Sequence, residues 1–346
     1  MSTSPPSGTG SRSGSAGASA IQSWPSGTRP PRALPTASRG DGVLIAVVGD
    51  STLDVTVGAP GPMSSGDAQA RITVGPGGQG ANVAVRLARA RVGVRLVTAL
   101  ADDPPGKVLR EHLEGESLEV VALPASRTSV VVVLLWGSRG ERMMLSDRVS
   151  ADGDLATALA GCDWVHVSGY LLRNPAEAER VITAIHAAAI DGVSVAGGSF
   201  AGWADAASAR DAIAEIGARI LIVSLEEAGL LAGGPTRTAE EAAPALGSAE
   251  RLAVVTDGER GSAAAGASIG RTLVQEAAAN RRPTVDTTGA GDAFTASLLA
   301  SLAPTWPPGA EAVAAALERA SAAGAAATTV IGAQSTADTD PERFGA

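Results

Sequence analysis

Cysteine, histidine and lysine are all scarce in this chain of 346 residues. The single cysteine, Cys162, excludes an intrachain disulfide and any zinc or iron–sulfur site that needs several cysteines. The three histidines are scattered and form no His-Glu-x-x-His metal motif. The single lysine, Lys107, is followed by Val108 rather than by serine or threonine, and it does not lie in a Val-Ala-Ile-Lys strand. The chain therefore lacks the phosphate-binding lysine of a P-loop protein and of a protein kinase.

Basic charge and long apolar runs are also lacking. The formal net charge is −9 at pH 7, which argues against a nucleic-acid partner and against a polybasic membrane contact. No apolar stretch is long enough to cross a membrane, and no apolar run follows the first methionine as it would in a secretory signal. Together with the low cysteine content, this predicts a cytoplasmic protein.

The chain divides by composition into a tail and one large domain. Serine, glycine, proline and threonine make up 26 of the first 40 residues, so this segment cannot bury enough apolar area to fold. We predict a disordered tail over 1–40, one domain over 41–336 and a short tail over 337–346. In the domain, aliphatic runs alternate with segments of helical periodicity, which predicts a mostly parallel sheet covered by helices on both faces. The predicted strands of this sheet are 43–48, 94–100, 164–167, 193–196, 220–223 and 252–256.

Several short strands do not fit this rhythm. Residues 54–57 and 70–74 read as short strands, and 130–135 and 141–145 flank a glycine-containing turn that is typical of a hairpin. These segments predict a small β element beside the main domain, formed by about 54–75 and 128–147.

The most informative segment is Val285-Asp286-Thr287-Thr288-Gly289-Ala290-Gly291-Asp292-Ala293-Phe294, which opens a helix. The first amides of a helix lack intrahelical partners, and glycine lets a ligand approach them closely, so this turn predicts an anion site suited to phosphate. Asp292 either caps the helix or serves as a general base beside the phosphate. Asp286, just before the turn, is a candidate cation ligand.

A second glycine-rich segment has two interpretations. Gly75-Pro76-Gly77-Gly78-Gln79-Gly80 satisfies the dinucleotide fingerprint, with Asp102 as its distal acid, and would favour a dehydrogenase. That fingerprint normally follows the first strand of the domain, however, and here the strand at 43–48 precedes it. A dehydrogenase would also leave 286–292 unexplained.

Taken together, the two segments resemble the signatures of the ribokinase-like (PfkB) carbohydrate kinases. The N-terminal signature is Gly77-Gly78-Gln79-Gly80-Ala81-Asn82, and the C-terminal one is the segment from Asp286 to Phe294. The resemblance implies a three-layer α/β/α fold whose mostly parallel sheet carries a small β-sheet lid. It also implies transfer of the γ-phosphate of ATP to a hydroxymethyl group of a sugar, in the manner of ribokinases and fructokinases. A nucleoside or pseudouridine kinase and a non-catalytic sugar sensor are the alternatives on this fold.

The resemblance assigns roles to the acceptor and phosphate residues. It implies that Asp292 is the base and that the amides of Gly289, Ala290 and Gly291 form the anion hole. It implies that Asp54 binds sugar hydroxyls, with Asp50 as the less favoured alternative. The residues that would close over the sugar are Gly78, Gln79, Gly80 and Asn82, although Asn82 could also cap a helix.

The resemblance further implies sites for ATP, Mg²⁺ and K⁺, and a homodimer formed by lid sheets. The Mg²⁺ site would use Glu227 through water, and the chain departs from the family here because Ser224 replaces an asparagine. Ser321 likewise replaces an asparagine found in some relatives. The ATP contacts would be Ser224, Thr256, Gly258, Gly261, Gly291 and Ser321, and the K⁺ ligands would be Asp286, Thr288, Gly332 and Thr336.

Overall fold

A computed structural model describes Met1 and residues 42–58, 67, 69–136, 141–198, 206–266, 269–280 and 282–335. The predicted tails at 1–40, apart from Met1, and at 337–346 lie outside the described residues, as do Thr336 and the hairpin turn at 137–140. In the described part of the chain the strands are β1 Leu44–Val48, β2 Thr52–Gly58, β3 Arg71–Gly77, β4 Gly93–Ala99, β5 Glu119–Leu123, β6 Ser129–Trp136, β7 Glu141–Asp147, β8 Trp164–Ser168, β9 Gly192–Ala196, β10 Ile220–Ser224, β11 Leu252–Thr256, β12 Ser262–Gly266 and β13 Leu273–Gln275.

Nine of these strands form one sheet in the order β13-β12-β11-β10-β9-β8-β1-β4-β5. From β11 to β5 all neighbours are parallel, whereas β12 and β13 run antiparallel at one edge. The mostly parallel sheet predicted from the aliphatic runs is therefore confirmed.

The helices cover both faces of this sheet. Along β1, Ile45 and Val47 belong to one apolar core and Leu44, Ala46 and Val48 to the other, so the strand is buried on both sides, as a parallel sheet requires. The core around Ile45 includes residues of α1, α2, α8 and α9, and the opposite core includes residues of α3 to α7. The described helices are α1 Gln79–Arg89, α2 Pro104–Glu114, α3 Leu155–Leu159, α4 Pro175–Ala187, α5 Ala206–Glu215, α6 Leu225–Ala232, α7 Ala239–Leu246, α8 Ala290–Leu302 and α9 Ala310–Ala327.

The remaining four strands form a separate sheet in the order β3-β2-β6-β7, which we call the lid sheet. β2 pairs antiparallel with β3 and parallel with β6, and β6 and β7 form the predicted hairpin. The dehydrogenase interpretation is wrong, because Gly75 and Gly77 lie in β3 of the lid sheet rather than after a strand of the parallel sheet.

Candidate active site

The start of α8 is a tight turn that leaves open space at its amides. Gly289 is the N-cap residue, with a left-handed φ of 76°, and a Cβ there would lie 2.7 Å from the Cα of Ala333. Apart from its chain neighbours and the backbone of its own helix, no described atom lies within 4 Å of the position that a Cβ on Gly291 would take. The Ala290 amide donates to the Thr287 carbonyl at 3.3 Å. The Ala290 amide is therefore engaged, and an anion would use the other first-turn amides and the helix dipole, with open space beside Gly291 for its approach.

Asp292 lies in the first turn of α8 but does not cap it, because no side chain forms a cap hydrogen bond there. Its Oδ2 accepts a hydrogen bond from Nδ2 of Asn82 at 2.7 Å. Burial raises the pKa of Asp292 to about 6, the hydrogen bond from Asn82 and the charge of Arg86 lower it, and the charges of Asp50 and Asp54 raise it further. A carboxylate with a pKa near the working pH is suited to accept a proton.

One face of α1 holds both Asp292 and the loop at 331–335. Asn82, Arg86 and Arg89 follow one another at the i, i+4, i+7 spacing of a helix face. Arg86 donates to the carbonyl of Ala333, and Arg89 to that of Gln334, both at 2.6 Å. Sequence analysis missed the roles of both arginines, although their helical spacing from Asn82 was a usable signal. Asn82 is not a helix cap, because α1 begins at Gln79 and has Gly78 as its N-cap residue.

Asp54 lies on β2 of the lid sheet. Thr52 donates its hydroxyl to Oδ1 of Asp54 at 2.5 Å, and a Cβ on Gly77, which pairs with Thr52 on the neighbouring strand, would overlap the carboxylate. Burial raises the pKa of Asp54 to about 6; the Thr52 hydrogen bond and the charge of Arg148 lower it, and the charge of Asp50 raises it.

Asp50, the less favoured alternative, is paired within the protein. Arg148, just after β7, donates to its Oδ2, and the Asp50 side chain is only 8% exposed. The guanidinium carbon of Arg148 lies 3.8 Å from the centre of the Tyr170 ring. The hydroxyl oxygen of Ser168 lies 3.3 Å from Oδ1 of Asp50. This pair joins the end of the lid sheet to the central domain, and no local pattern indicated Arg148 or Tyr170.

The glycine-rich turn at 78–80 packs against the segment that carries Asp50. A Cβ on Gly80 would lie 2.6 Å from the Cα of Gly49, so only glycine permits this approach. Gln79 donates to the carbonyl of Gly197 at 2.5 Å and accepts from Ser168 at 2.6 Å. The turn thus brings Gln79 to the end of β8.

A cavity of about 270 Å³ lies between the lid sheet and the loop at 331–335. Its described lining includes Asp54, Thr288, Gly332 and Gln334, which sequence analysis placed in separate motifs. The lining also includes His112 of α2, which sequence analysis did not assign to the site.

Asp286 ties two of the predicted K⁺-binding segments together. Its Oδ1 accepts from the Thr288 amide and its Oδ2 from the Gly332 amide, both at 2.8 Å. The carboxylate and the nearby backbone carbonyls are hard oxygen donors of the kind that alkali cations take. Thr336, the fourth predicted ligand, lies outside the described residues.

Ser224 and Glu227 form the capping box of α6. The Ser224 hydroxyl accepts from the Glu227 amide at 3.2 Å, and Oε2 of Glu227 accepts from the Ser224 amide at 2.8 Å. The serine thus serves as a helix cap at the position where the resemblance to the carbohydrate kinases led us to expect asparagine. The described residues contain no group of three His, Cys, Asp or Glu side chains that could hold a metal ion.

The other predicted nucleotide residues lie near the ends of β10 and β11. Thr256 pairs with Ser224 in the register of these two strands. Gly258 has open space at its Cβ position, whereas a Cβ on Gly261 would lie 2.1 Å from the Gln275 carbonyl. Ser321 is buried, and its hydroxyl accepts from the Ala278 amide at 2.9 Å.

This arrangement suits phosphoryl transfer to an alcohol, in which amides receive the anion and a nearby carboxylate accepts the hydroxyl proton. The fold and the site together indicate a kinase with an alcohol acceptor.

A family model described as pfkB family carbohydrate kinase matches residues 44–340, and the chain belongs to this family. It is therefore a sugar kinase, as the resemblance of its two signatures predicted. In the described part of the chain, no helix is both long enough and apolar enough to span a membrane.

Fructokinases are among its relatives. The chain is 35% identical over 309 residues to a fructokinase of Klebsiella pneumoniae, and the matched region covers 84% of this chain and 94% of the relative. It is similar to a crystal structure of fructokinase from Vibrio cholerae O395 in fructose-, ADP- and calcium-bound form, with 26% identity, a TM-score of 0.69 and coverage of 86% and 96% of the two chains. A double mutant of that fructokinase in fructose-, ADP- and potassium-bound form gives 26% identity, a TM-score of 0.68 and the same coverage.

Proposed function

We propose that this kinase transfers the γ-phosphoryl group of ATP to a hydroxymethyl oxygen of a neutral sugar, with fructose as its preferred acceptor. The observation that carries the proposal is the position of Asp292, whose raised pKa and neighbouring open helix amides suit a base beside a transferring phosphoryl group. The fructokinase relatives support fructose as the acceptor. A cytoplasmic location, where ATP is available, completes the proposal.

In this mechanism the protein positions the reactants and stabilises charge. Asp292 accepts the proton of the acceptor hydroxyl, and the free amides at the start of α8, chiefly that of Gly291, receive the phosphoryl oxygens. Asp54 accepts hydrogen bonds from sugar hydroxyls, because an ionised carboxylate is an acceptor with several lone pairs. The residues at 78–80 close the opposite side, and a sugar contact through the second amide proton of Asn82 stays a prediction.

The charges of the cleft favour a neutral sugar over a sugar acid. Arg148 is already paired with Asp50, and Arg86 already donates to a backbone carbonyl, so these two cations are engaged within the protein. The described lining of the cavity contains no phenylalanine, tyrosine or tryptophan on which a nucleobase could stack. One face of the Tyr170 ring is covered by Arg148. These features favour a sugar over a nucleoside.

The cation assignments rest on the donor chemistry. Asp286 holds the segments of Thr288 and Gly332 together through their amides. Its carboxylate and the backbone carbonyls of Thr288 and Gly332 would supply oxygens to K⁺, which would strengthen the positive field at the anion site when bound. Glu227 would bind Mg²⁺ through water, as suits an ion that keeps part of its hydration shell and is held mainly by substrate phosphates. The remaining ATP contacts are assigned to Ser224, Thr256, Gly258, Gly261 and Ser321.

The acceptor assignment predicts a ranking of substrates. With ATP and Mg²⁺, we expect kcat/KM for D-fructose to exceed that for D-ribose and pseudouridine by about tenfold or more. ADP release measured with a coupled assay gives the ranking, and a reaction without acceptor gives the background. Replacing K⁺ by a bulky organic cation should lower the rate. A higher kcat/KM for pseudouridine would overturn the sugar assignment.

We also propose a homodimer, formed by the outer face of the lid sheet. Register places two rows of apolar side chains across this face, and residues that pair directly lie on the same side of a sheet. Four members are about half exposed or more, at 61% for Ile72, 60% for Val74, 50% for Met143 and 52% for Leu145. The first row is Ile72, Val57, Leu134 and Met143, and the second row is Val74, Val55, Val132 and Leu145. An exposed apolar patch of this kind is typical of an association surface.

Val74→Glu tests this surface. A buried carboxylate at a dimer contact is costly, so we expect the variant to elute as a monomer under conditions in which the wild-type chain is a dimer by light scattering. Val274→Glu on β13 is the matched control, because Val274 is 57% exposed and lies outside the lid sheet. A wild-type monomer at micromolar concentration contradicts the proposal.

A further inference from the structure

Three hydrogen bonds connect Asp292 in series to a histidine on α2. Asn82 donates through Nδ2 to Oδ2 of Asp292 at 2.7 Å. Gln334 donates through Nε2 to Oδ1 of Asn82 at 2.9 Å. Oε1 of Gln334 lies 2.7 Å from Nε2 of His112. We call Asp292, Asn82, Gln334 and His112 the Asp292 relay.

The charge of Asp292 fixes the direction of every bond in this relay. An ionised carboxylate only accepts, so the amide nitrogen of Asn82 must face it and the amide oxygen must face Gln334. The nitrogen of Gln334 must then face Asn82, which leaves its oxygen toward His112. His112 completes the series only by carrying a proton on Nε2, which it does in one neutral tautomer and in the charged form.

Burial and neighbouring contacts hold the relay in place. Asn82 is 5% exposed and Gln334 is 6% exposed, so neither amide has water as an easy substitute partner. The backbone of Gln334 is fixed separately, because Arg89 donates to its carbonyl at 2.6 Å. Arg89 also forms an ion pair with Glu116, just after the helix that carries His112. The relay therefore links α8, α1, the loop at 331–335 and α2.

We propose that His112 and Gln334 are positioning residues, which orient the Asn82 amide so that it donates to ionised Asp292. This inference rests on the proposed role of Asp292 as the base. Neither residue needs to touch the sugar, and each acts through the next member of the relay. The relay favours the ionised form of Asp292, because the Asn82 amide then donates a hydrogen bond to a charged carboxylate. A protonated Asp292 could itself donate a hydrogen bond, and the Asn82 and Gln334 amides would then no longer be held in one orientation.

A broken relay should lower kcat and change the KM for sugar little. It should also move the acid limb of the pH profile, which is the fall of kcat as Asp292 becomes protonated, to higher pH. Four groups face Asp292 in addition to the relay. Asp50 and Asp54 raise its pKa and Arg86 lowers it, while Tyr170 lies close and is neutral in the assay range. These groups stay in place in the relay variants, so a shift of the limb in Gln334→Met, which adds no charge, reports the relay alone; the new carboxylate of Gln334→Glu would add its own upward shift.

Two pairs of variants separate orientation from packing. Gln334→Glu keeps the shape and the acceptor toward His112 but cannot donate to Asn82, and Gln334→Met removes both bonds at similar volume. His112→Ala removes the donor, and His112→Gln restores an amide donor at this position. His186→Gln is the matched control, since His186 lies on α4 and its side chain, among the described hydrogen bonds, contacts only the Glu215 carbonyl.

We expect Gln334→Glu, Gln334→Met and His112→Ala to lower kcat by about tenfold and to raise the acid limb by about half a pH unit. His112→Gln should recover most of both effects, with melting temperatures showing that the variants are folded. If Gln334→Glu and Gln334→Met keep the wild-type kcat and the wild-type position of the acid limb, the relay is overturned. The relay is also overturned if His112→Ala lowers kcat and His112→Gln does not restore it. If Asp292→Asn itself retains wild-type turnover, the proposed function fails instead, so the two failures are distinguishable.

Discussion

Asp292→Asn is expected to lower kcat for sugar phosphorylation by about 10²–10⁴-fold, the range that general bases contribute, while the KM for sugar changes little. The amide preserves the shape of the side chain and can still contact the substrate, but it cannot take the hydroxyl proton. Steady-state ADP release with saturating ATP measures both constants. Turnover near the wild-type rate would show that another group accepts the proton.

The pH dependence follows from the raised pKa of the same carboxylate. Because the pKa of Asp292 is about 6, the base becomes protonated as the pH falls through that value, and kcat of the wild-type enzyme should fall with it. A pKa that burial raises also means that the folded state binds a proton more tightly than the unfolded state. Stability from this group is therefore lost as the pH rises from the ordinary aspartate range through about 6.

The loss of folding stability on ionisation of Asp292 provides a control for the Asp292→Asn experiment. At pH 7 the ionised Asp292 opposes folding, so that Asp292→Asn should leave the melting temperature unchanged or raise it. Thermal unfolding at pH 7 and pH 5 checks the point, and the difference between variant and wild type should shrink at the lower pH. A marked fall in melting temperature at pH 7 would mean that lost activity reflects unfolding rather than lost chemistry.

Residues that are close in the sequence made much of this site predictable. The aliphatic runs predicted the parallel strands, because a strand that is buried on both faces is a continuous apolar run without alternating polar residues. The turn before α8 was predictable because Gly289, Gly291 and Asp292 lie within one helical turn, where spacing fixes geometry. The short strand β5 and the antiparallel strands β12 and β13 were not predicted; β12 is a run of small residues with little strand character.

The contacts that tune the site were not predictable in this way. Arg148 meets Asp50 across 98 positions of sequence, and Gln334 meets Asn82 across 252. Such pairs arise from the crossing of whole elements, and a single sequence carries no local spacing that relates their members. His112 illustrates the same limit, since its neighbours on α2 give it no distinctive pattern.

Asp54→Asn is expected to raise the KM for sugar by about tenfold to a hundredfold, which corresponds to the loss of a charge-assisted hydrogen bond worth about 1.5–3 kcal/mol. The effect on kcat should be smaller, because Asp54 contacts the sugar in the ground state as well as in the transition state. Asp102→Asn is the matched control, because the side chain of Asp102 is 88% exposed and, among the residues that the structure describes, forms an ion pair only with Lys107, at 3.6 Å. Steady-state kinetics over a range of sugar concentrations give the comparison.

The pH profile separates Asp54 from the alternative, Asp50. The pKa of Asp54 is about 6, so the wild-type KM for sugar should rise as the pH falls through that value, and Asp54→Asn should remove this dependence. Asp50→Asn breaks the pair with Arg148 and leaves a half-buried cation without its partner, so its effect should include a loss of thermal stability. If the sugar KM is unchanged in Asp54→Asn but rises in Asp50→Asn, the hydroxyls bind at the end of β1 rather than on the lid sheet.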